Sequence, residues 1–182
     1  MNIKDFRSKI LAIIQKLNDT RSEQAALIGR EALALVRRRI QNEGKNADGA
    51  RLDSYSTNPV PAFFFFGDSV TAAGEAKIRA SAKKGHGVSY KEFREYNNRR
   101  TDITDLTFTG SMWKEMDVFP LDSTAVKATV KIEPRTQRSK RVAAFNSDRY
   151  GNILALSKLE RDQLKEANFR RVAKIIESEF VK

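Results

Sequence analysis

The stretch AVKATVKIE, Ala125–Glu133, decides the fold class. Val126, Ala128, Val130 and Ile132 alternate strictly with Lys127, Thr129, Lys131 and Glu133, which is the period of a β-strand with one dry face and one wet face. Pro134 stops it. Just upstream, Glu115–Leu121 reads as a partner strand. Pro120–Thr124 reads as the hairpin turn between them, so the pair is expected to be antiparallel. Before that pair, Leu106–Met116 contains Thr109-Gly110-Ser111, a turn that can start a short helix.

Outward from the hairpin the period changes from two to that of a helix. Asn2 reads as an N-cap, and Phe6, Ile10, Ile13, Ile14 and Leu17 recur at helical spacing. Asn18-Asp19 is expected to break this helix. Thr20 with Glu23 forms a capping box for a second helix, whose apolar stripe is Ala25, Ile28, Ala32, Leu35, Val36 and Ile40. Gly44 reads as its stop and Gly44–Gly49 as a loop. On the C-terminal side, Tyr150-Gly151-Asn152 is a turn, Ile153–Leu156 a short strand, and Ser157 with Glu160 another capping box. The closing helix is expected to bury Phe169, Val172, Ala173, Ile176 and Phe180. Long helices flanking a small antiparallel sheet make the class α+β.

The middle of the chain is less regular. Asn58-Pro59 and Pro61 favour extended backbone, and Phe63–Phe66 before Gly67-Asp68 reads as a short strand ending in a turn. Helices are expected at Ala73–Lys84 and, capped by Ser89, at Ser89–Asn98, with Gly85-His86-Gly87 as a flexible turn between them. Residues 1–182 read as a single domain, with 53–105 as an elaborated loop inserted in it. Four consecutive phenylalanines are unusual, because alternate residues of a strand face opposite ways. The quartet is either covered on both faces or an apolar patch that assembly buries.

The chain has 182 residues, 40% of them apolar, with 11 Phe, one His and no Cys. That supports a packed core and excludes disulfide and thiolate chemistry, and folding in a reducing cytoplasm is expected. No apolar run approaches the roughly 20 residues of a membrane span. His86, alone between two glycines, cannot build a zinc site or pair with an oriented nucleophile. There is no phosphate-cradling loop, and Asp102 with Asp105 reads as a solvated turn. Neither an enzyme, a cofactor nor a metal is expected.

Net charge is the stronger signal, at +11 with a pI near 10.0, and it implies polyanionic surroundings. Arg37, Arg38 and Arg39 fan around the end of the second helix, so at least one must be buried, paired or presented to a partner. Arg135, Arg138, Lys140 and Arg141 fall within the acid-free run Pro134–Arg141, which reads as a mobile loop facing DNA or an acidic partner. Arg170, Arg171 and Lys174 read as a solvated face.

The order of these pieces resembles the phage virion-morphogenesis and neck proteins, the group that includes tail-completion and head–tail joining proteins. The similar segments are Ile40–Gly49, Leu106–Met116 with its Thr109-Gly110-Ser111-Met112 turn, Ala125–Glu133, and Ala143–Leu156 with Asp162 beyond. Ala143, Ala144, Phe145 and Gly151 stand where the family carries an Ala–aromatic–turn–Gly pattern. Ile153-Leu154-Ala155-Leu156-Ser157 stands where its closing helix begins. The likeness covers about half the chain and leaves Asp53–Asp105 outside. It implies a non-enzymatic virion structural protein, assembled in the host cytoplasm as a ring on the order of six or twelve copies. The ring would surround the DNA channel, touching head-closure or connector proteins on one side and tail-terminator or tail-tube proteins on the other, with genomic DNA in the lumen. Phe63, Phe64, Phe65 and Phe66 would then be candidate assembly contacts, and the two arginine clusters candidate DNA or partner contacts. The alternative is a basic protein in which the same clusters grip nucleic-acid phosphates.

Overall fold

One helix, α1 (Ile3–Arg38), forms the spine of the molecule, about 54 Å long. The computed structural model describes residues 2–67, 70–107, 110–124 and 127–181. The Asn2 side chain caps α1 by accepting from the Asp5 N–H at 2.8 Å. The expected break at Asn18-Asp19 does not occur. Gln15 Nε2 donates to Asp19 at 2.9 Å, Arg21 donates to Asn18, and the Thr20 hydroxyl donates back to the Lys16 carbonyl at 2.8 Å. Polar residues that would compete with the backbone are thus satisfied along the helix surface, so they do not end it. The last turn widens into a π-helical turn, Arg39–Glu43, which places Arg39 and Ile40 inward together. Gly44 then terminates it at φ 61°, as expected of a left-handed C-cap.

Two elements flank α1. The closing helix α6 (Lys158–Phe180) runs antiparallel to it. The Lys9 ammonium donates to the Phe180 carbonyl at 3.2 Å, Lys16 pairs with Glu179 at 3.0 Å, Arg171 with Glu31, and Arg39 with Glu160 at 2.9 Å. The hairpin β3 (Met116–Ser123) and β4 (Ala128–Pro134) is antiparallel, with Val118 opposite Ile132 and Pro120 opposite Val130. Strand β3 therefore passes through Pro120, tolerated because both strands of a two-stranded ribbon are edges. A bulge follows between Pro120 and Asp122. The turn comes later than expected, closed by the Thr124 N–H donating to the Lys127 carbonyl at 2.6 Å. Ala125 and Val126 of the expected strand lie outside the described residues.

The remaining helices and turns also show where local reading succeeds or fails. The basic run after β4 is not a loop. Thr136 caps α5 (Gln137–Tyr150) by accepting from the Ser139 N–H. Gly151 makes the following turn at φ 75°. Ile153–Leu156 is an irregular connection rather than a strand, held by Arg39 through the Ile153 carbonyl at 3.2 Å and the Ala155 carbonyl at 2.7 Å. Phe63–Phe66 is not a strand either: Ala62–Phe65 is a 3₁₀ turn. Helices α2 (Ala72–Lys83) and α3 (Tyr90–Tyr96) match expectation, and Ser89 and Glu92 form the full capping box. A two-residue pairing of β1 (Pro59–Val60) with β2 (Val88–Ser89) makes a second small sheet. A one-turn helix, α4 (Ser111–Glu115), leads into β3.

Two apolar clusters result. The larger joins Val36, Ile40, Leu52, Met112, Trp113, Met116, Ala143 and Ile153. The smaller, Ala62, Ile78, Val88 and Phe93, lies wholly within 53–105.

The hairpin approaches α1 most closely at Gly29. A Cβ there would come within 2.6 Å of Val118 Cγ1 and 3.1 Å of Val130 Cγ2, both on stiff β-branched side chains. Gly29→Val should therefore lose about 1–3 kcal/mol in urea unfolding despite its better helix propensity. Val118→Ala in the same chain should recover part of that loss. An unchanged unfolding midpoint in the single variant would show that the hairpin does not press on α1 there.

Candidate functional site

The smaller cluster is joined to the larger by one buried ionic network. Arg94 is 1% exposed. Its guanidinium donates to Asp105 Oδ1 at 3.0 Å, to the Arg100 carbonyl at 2.8 Å and to the Thr107 carbonyl at 3.0 Å. It also lies 4.2 Å from the centroid of the Tyr55 ring. The Tyr55 hydroxyl donates to Asp105 Oδ1 at 2.8 Å and accepts from the Asp105 N–H at 3.1 Å. The Thr107 N–H adds a third donor to the same carboxylate oxygen at 2.8 Å. Every strong group thus has a partner, as burial of a charge requires. Burial, together with the Asp105 charge, pushes the Tyr55 hydroxyl well above its ordinary value. Asp105 is therefore no solvated turn residue; only Asp102 is exposed, held by Arg100 at 2.5 Å.

Arg94 and Tyr55 of this network line the floor of a cleft of about 800 Å³. Tyr55, Tyr90, Phe93, Leu106 and Met112 line its base, with Phe65 stacked on Phe93 at 4.5 Å between centroids. Phe64 and Phe66 stand on one side. On the other is a stripe of α5: Arg138, Val142, Phe145 and Arg149. At 3.6 residues per turn these four fall within roughly 60° of helix circumference. All four are exposed, Phe145 to 63%. Among the described residues no carboxylate lines the cleft.

The structure disperses the expected basic clusters. Arg39 leaves the surface altogether: it is 7% exposed and pairs with Glu160, whose other oxygen accepts from the Ser157 N–H as part of the α6 cap. Arg37 and Arg38 stay exposed, Arg37 donating to Gln41 at 3.1 Å. Arg135 pairs with Asp117, and Lys140 with Glu133 at 3.2 Å. Arg138 and Arg141 are exposed on α5. On α6 Arg171 is paired with Glu31 and half-buried, whereas Arg170, paired with Glu166, and Lys174 are exposed.

The phenylalanine quartet divides as well. Phe65 packs inward, while Phe63 and Phe64 stack on each other at 4.5 Å in the open, 65% and 67% exposed, and Phe66 lies under the Arg79 guanidinium. His86 is exposed in its turn. Thr109 of the family-like turn lies outside the described residues; Gly110 and Ser111 do start α4, with Gly110 at φ 75°.

Sequence reading missed the Tyr55–Arg94–Asp105 set, since its members lie 11 and 50 positions apart and no motif spans them. The α5 stripe left only a weak trace in the sequence: Thr136 is of the N-cap type but lacks the Glu or Gln three residues on that would complete a helix-start signal. Among the described residues no cluster of His, Cys, Asp or Glu is placed to hold a metal ion, and no helix is long and apolar enough to cross a membrane. Comparison with protein-family models, curated proteins and solved structures finds no match in any of the three.

Two measurements check the network. Arg94→Met should cost about 3–5 kcal/mol in urea unfolding, because it strands a buried carboxylate. Tyr55→Phe should cost about 1–3 kcal/mol near neutral pH. A tyrosine whose hydroxyl is raised in the folded state contributes stability that is complete below the unfolded value near 10 and lost as pH climbs beyond it. The stability gap between the wild type and Tyr55→Phe should therefore be flat below about pH 10 and narrow above it. A gap that widens there would mean that Tyr55 ionises more easily folded than unfolded.

Proposed function

We propose that the chain is a non-enzymatic structural subunit of a tailed-phage virion at the head–tail junction, a neck or tail-completion ring around the DNA channel. The observation that carries this reading is apolar surface left over on the α1–α6 arm. On α1 the apolar arc from Ile13 and Phe6 through Ile3 and Ile14 to Leu11 spans roughly 160°. Ile13 is buried and Ile10 and Leu17 half-buried, while Phe6 meets Phe180 of α6 at 6.2 Å between centroids. Ile3, Leu11 and Ile14 remain 87%, 56% and 49% exposed. On α6 the packed face carries Glu160, Leu164, Arg171 and Glu179. The face expected to be buried instead leaves Phe169, Ile176 and Phe180 at 74%, 37% and 38% exposure. Both stripes overhang their mutual contact on the same arm, which is the form of surface that another copy covers.

The order of elements also supports the reading. The glycine stop after the first helix, the one-turn helix, the β-hairpin and the capped closing helix keep the order on which the family likeness rests, whereas its two N-terminal helices are one and its basic loop is α5. A net charge of +11 suits the wall of a channel that DNA crosses. The nucleic-acid-gripping alternative loses support from the same geometry, since Arg39, Arg135 and Lys140 are engaged by carboxylates within the chain.

Sedimentation with negative-stain imaging tests the proposal. The wild type should form closed rings of a fixed multiple of the chain mass. Ile14→Asp combined with Phe169→Asp should yield monomers with an unchanged circular dichroism spectrum. A wild type that stays monomeric at about 100 μM, or a variant that still forms the same rings, counts against it; tight salt-dependent binding of the monomer to duplex DNA would favour the alternative.

A further inference from the structure

We infer that the aromatic cleft between the phenylalanine turn and α5 is a docking groove for an acidic, apolar segment of a second protein. The wall that α5 contributes is built as a recognition face. Val142 and Phe145 are two apolar side chains left open, and Arg138 and Arg149 bracket them on the same stripe. The arginines are eleven residues apart, about 16 Å along the helix. Neither is held in a close ion pair as Arg135 and Lys140 nearby are; Arg138 only acts through its charge on Glu115, and Arg149 lies over the Tyr150 ring at 5.1 Å. Across the cleft Phe64 and Phe66 present further open apolar surface, and the base is aromatic.

Charge chooses the occupant. A groove with guanidinium groups at its rim attracts acids and repels bases. A second copy of this chain, at +11, is the wrong sign. A nucleic-acid strand carries a phosphate at every nucleotide and needs a continuous cationic track beside its stacked bases. This groove instead has two separated cations around an apolar centre. An amphipathic segment with apolar side chains in the middle and acids toward either end matches that spacing, in the manner of a helix laid into a groove. The floor is pre-set for it, because Arg94 and Tyr55 are locked by hydrogen bonds to Asp105 behind them and need no reordering on binding. The inference does not depend on ring formation, since it concerns a different surface from the α1–α6 arm.

Fluorescence anisotropy with labelled peptides of about fourteen residues, four helical turns, tests it. Three peptides share one pattern: Leu and Phe on one face with flanking Glu, the same with Lys for Glu, and the same with Ser for Leu and Phe. A labelled oligothymidine is the fourth probe. The Glu peptide should bind, weakening as salt rises, and the other three should bind at least about tenfold more weakly. Phe145→Ala, and separately Arg138→Glu with Arg149→Glu, should each cost the Glu peptide about tenfold or more. Both variants alter exposed positions, so their melting temperatures should match the wild type. The charge reversal should gain affinity for the Lys peptide. Failure of the Glu peptide to bind, equal binding of the Ser or Lys peptide, preferred binding of oligothymidine, or indifference to both variants overturns the inference. Self-association abolished by Phe145→Ala would also overturn it, by making a second copy the occupant. Ring formation by a chain whose groove is empty would leave the structural-subunit reading intact, so the two fail separately.

Discussion

The middle of the molecule depends on the burial of one guanidinium. Arg94 sits between two apolar clusters, and at 1% exposure it must find partners for its donors inside the protein. It does so by drawing in Asp105 and the carbonyls of Arg100 and Thr107, which fixes the connection after α3 onto the helix itself. Tyr55 then closes the set from the opposite strand of chain, through its ring and its hydroxyl. The segment 53–105 is therefore anchored at both its ends by the same carboxylate. Its own cluster is small, and the anchor works together with the Arg100 guanidinium donating to the Gln41 carbonyl at 3.2 Å and the Thr104 hydroxyl donating to the Asp53 carbonyl.

Arg39 plays the corresponding part at the other side of the core. It spends its donors on Glu160 and on the Lys45, Ile153 and Ala155 carbonyls. Glu160 in turn belongs to the cap of α6. A single buried pair thus sets where the closing helix starts and how the irregular connection before it is held. The cost of desolvating such pairs means that they add little net stability over an apolar pair of the same shape. Their contribution here is positional. Removing one partner leaves the other buried and alone, and the loss is large.

What the sequence discloses follows the range of the interactions. The capping boxes at Ser89 and Ser157 and the glycine stop at Gly44 depend on neighbours within a few residues, and all are present. The strand forms at Ala128–Pro134, but its two faces differ less than the alternation implies, since Thr129, Val130, Ile132 and Glu133 are all half-buried and Lys131 alone is exposed. One error is itself local: Asn18-Asp19 looks like a break, yet Gln15 and Arg21, within four residues, satisfy its side chains on the helix surface. The others arise where a distant partner decides. Ile153–Leu156 has the composition of a strand but no strand to pair with, and Arg39 takes its carbonyls instead. On α6 the apolar spacing of Phe169, Ile176 and Phe180 is genuine, yet the helix turns toward α1 the face that carries Arg171 and Glu160, because Glu31 and Arg39 meet them there. Of the cleft, the phenylalanines and the basic run were conspicuous in the sequence, but their juxtaposition comes only from the fold.

The two open apolar surfaces lie at opposite ends of α1. The arm stripe occupies its N-terminal third, whereas the cleft is built beside the core that Val36 and Ile40 share with Met112 and Tyr150. Ile14 and Val36 are twenty-two residues apart, roughly 30 Å of helix. Contacts at that separation with no shared partner are energetically independent unless a two-state element links them, and α1, continuous and packed on both flanks, gives no sign of one. The surfaces also differ in kind: the arm offers a long apolar edge suited to a like edge, the cleft a concave aromatic seat rimmed by cations. On the proposed reading the arm would hold the chain among its own copies and the cleft would engage an unlike, acidic neighbour, so the two contacts would form at separate places on one subunit.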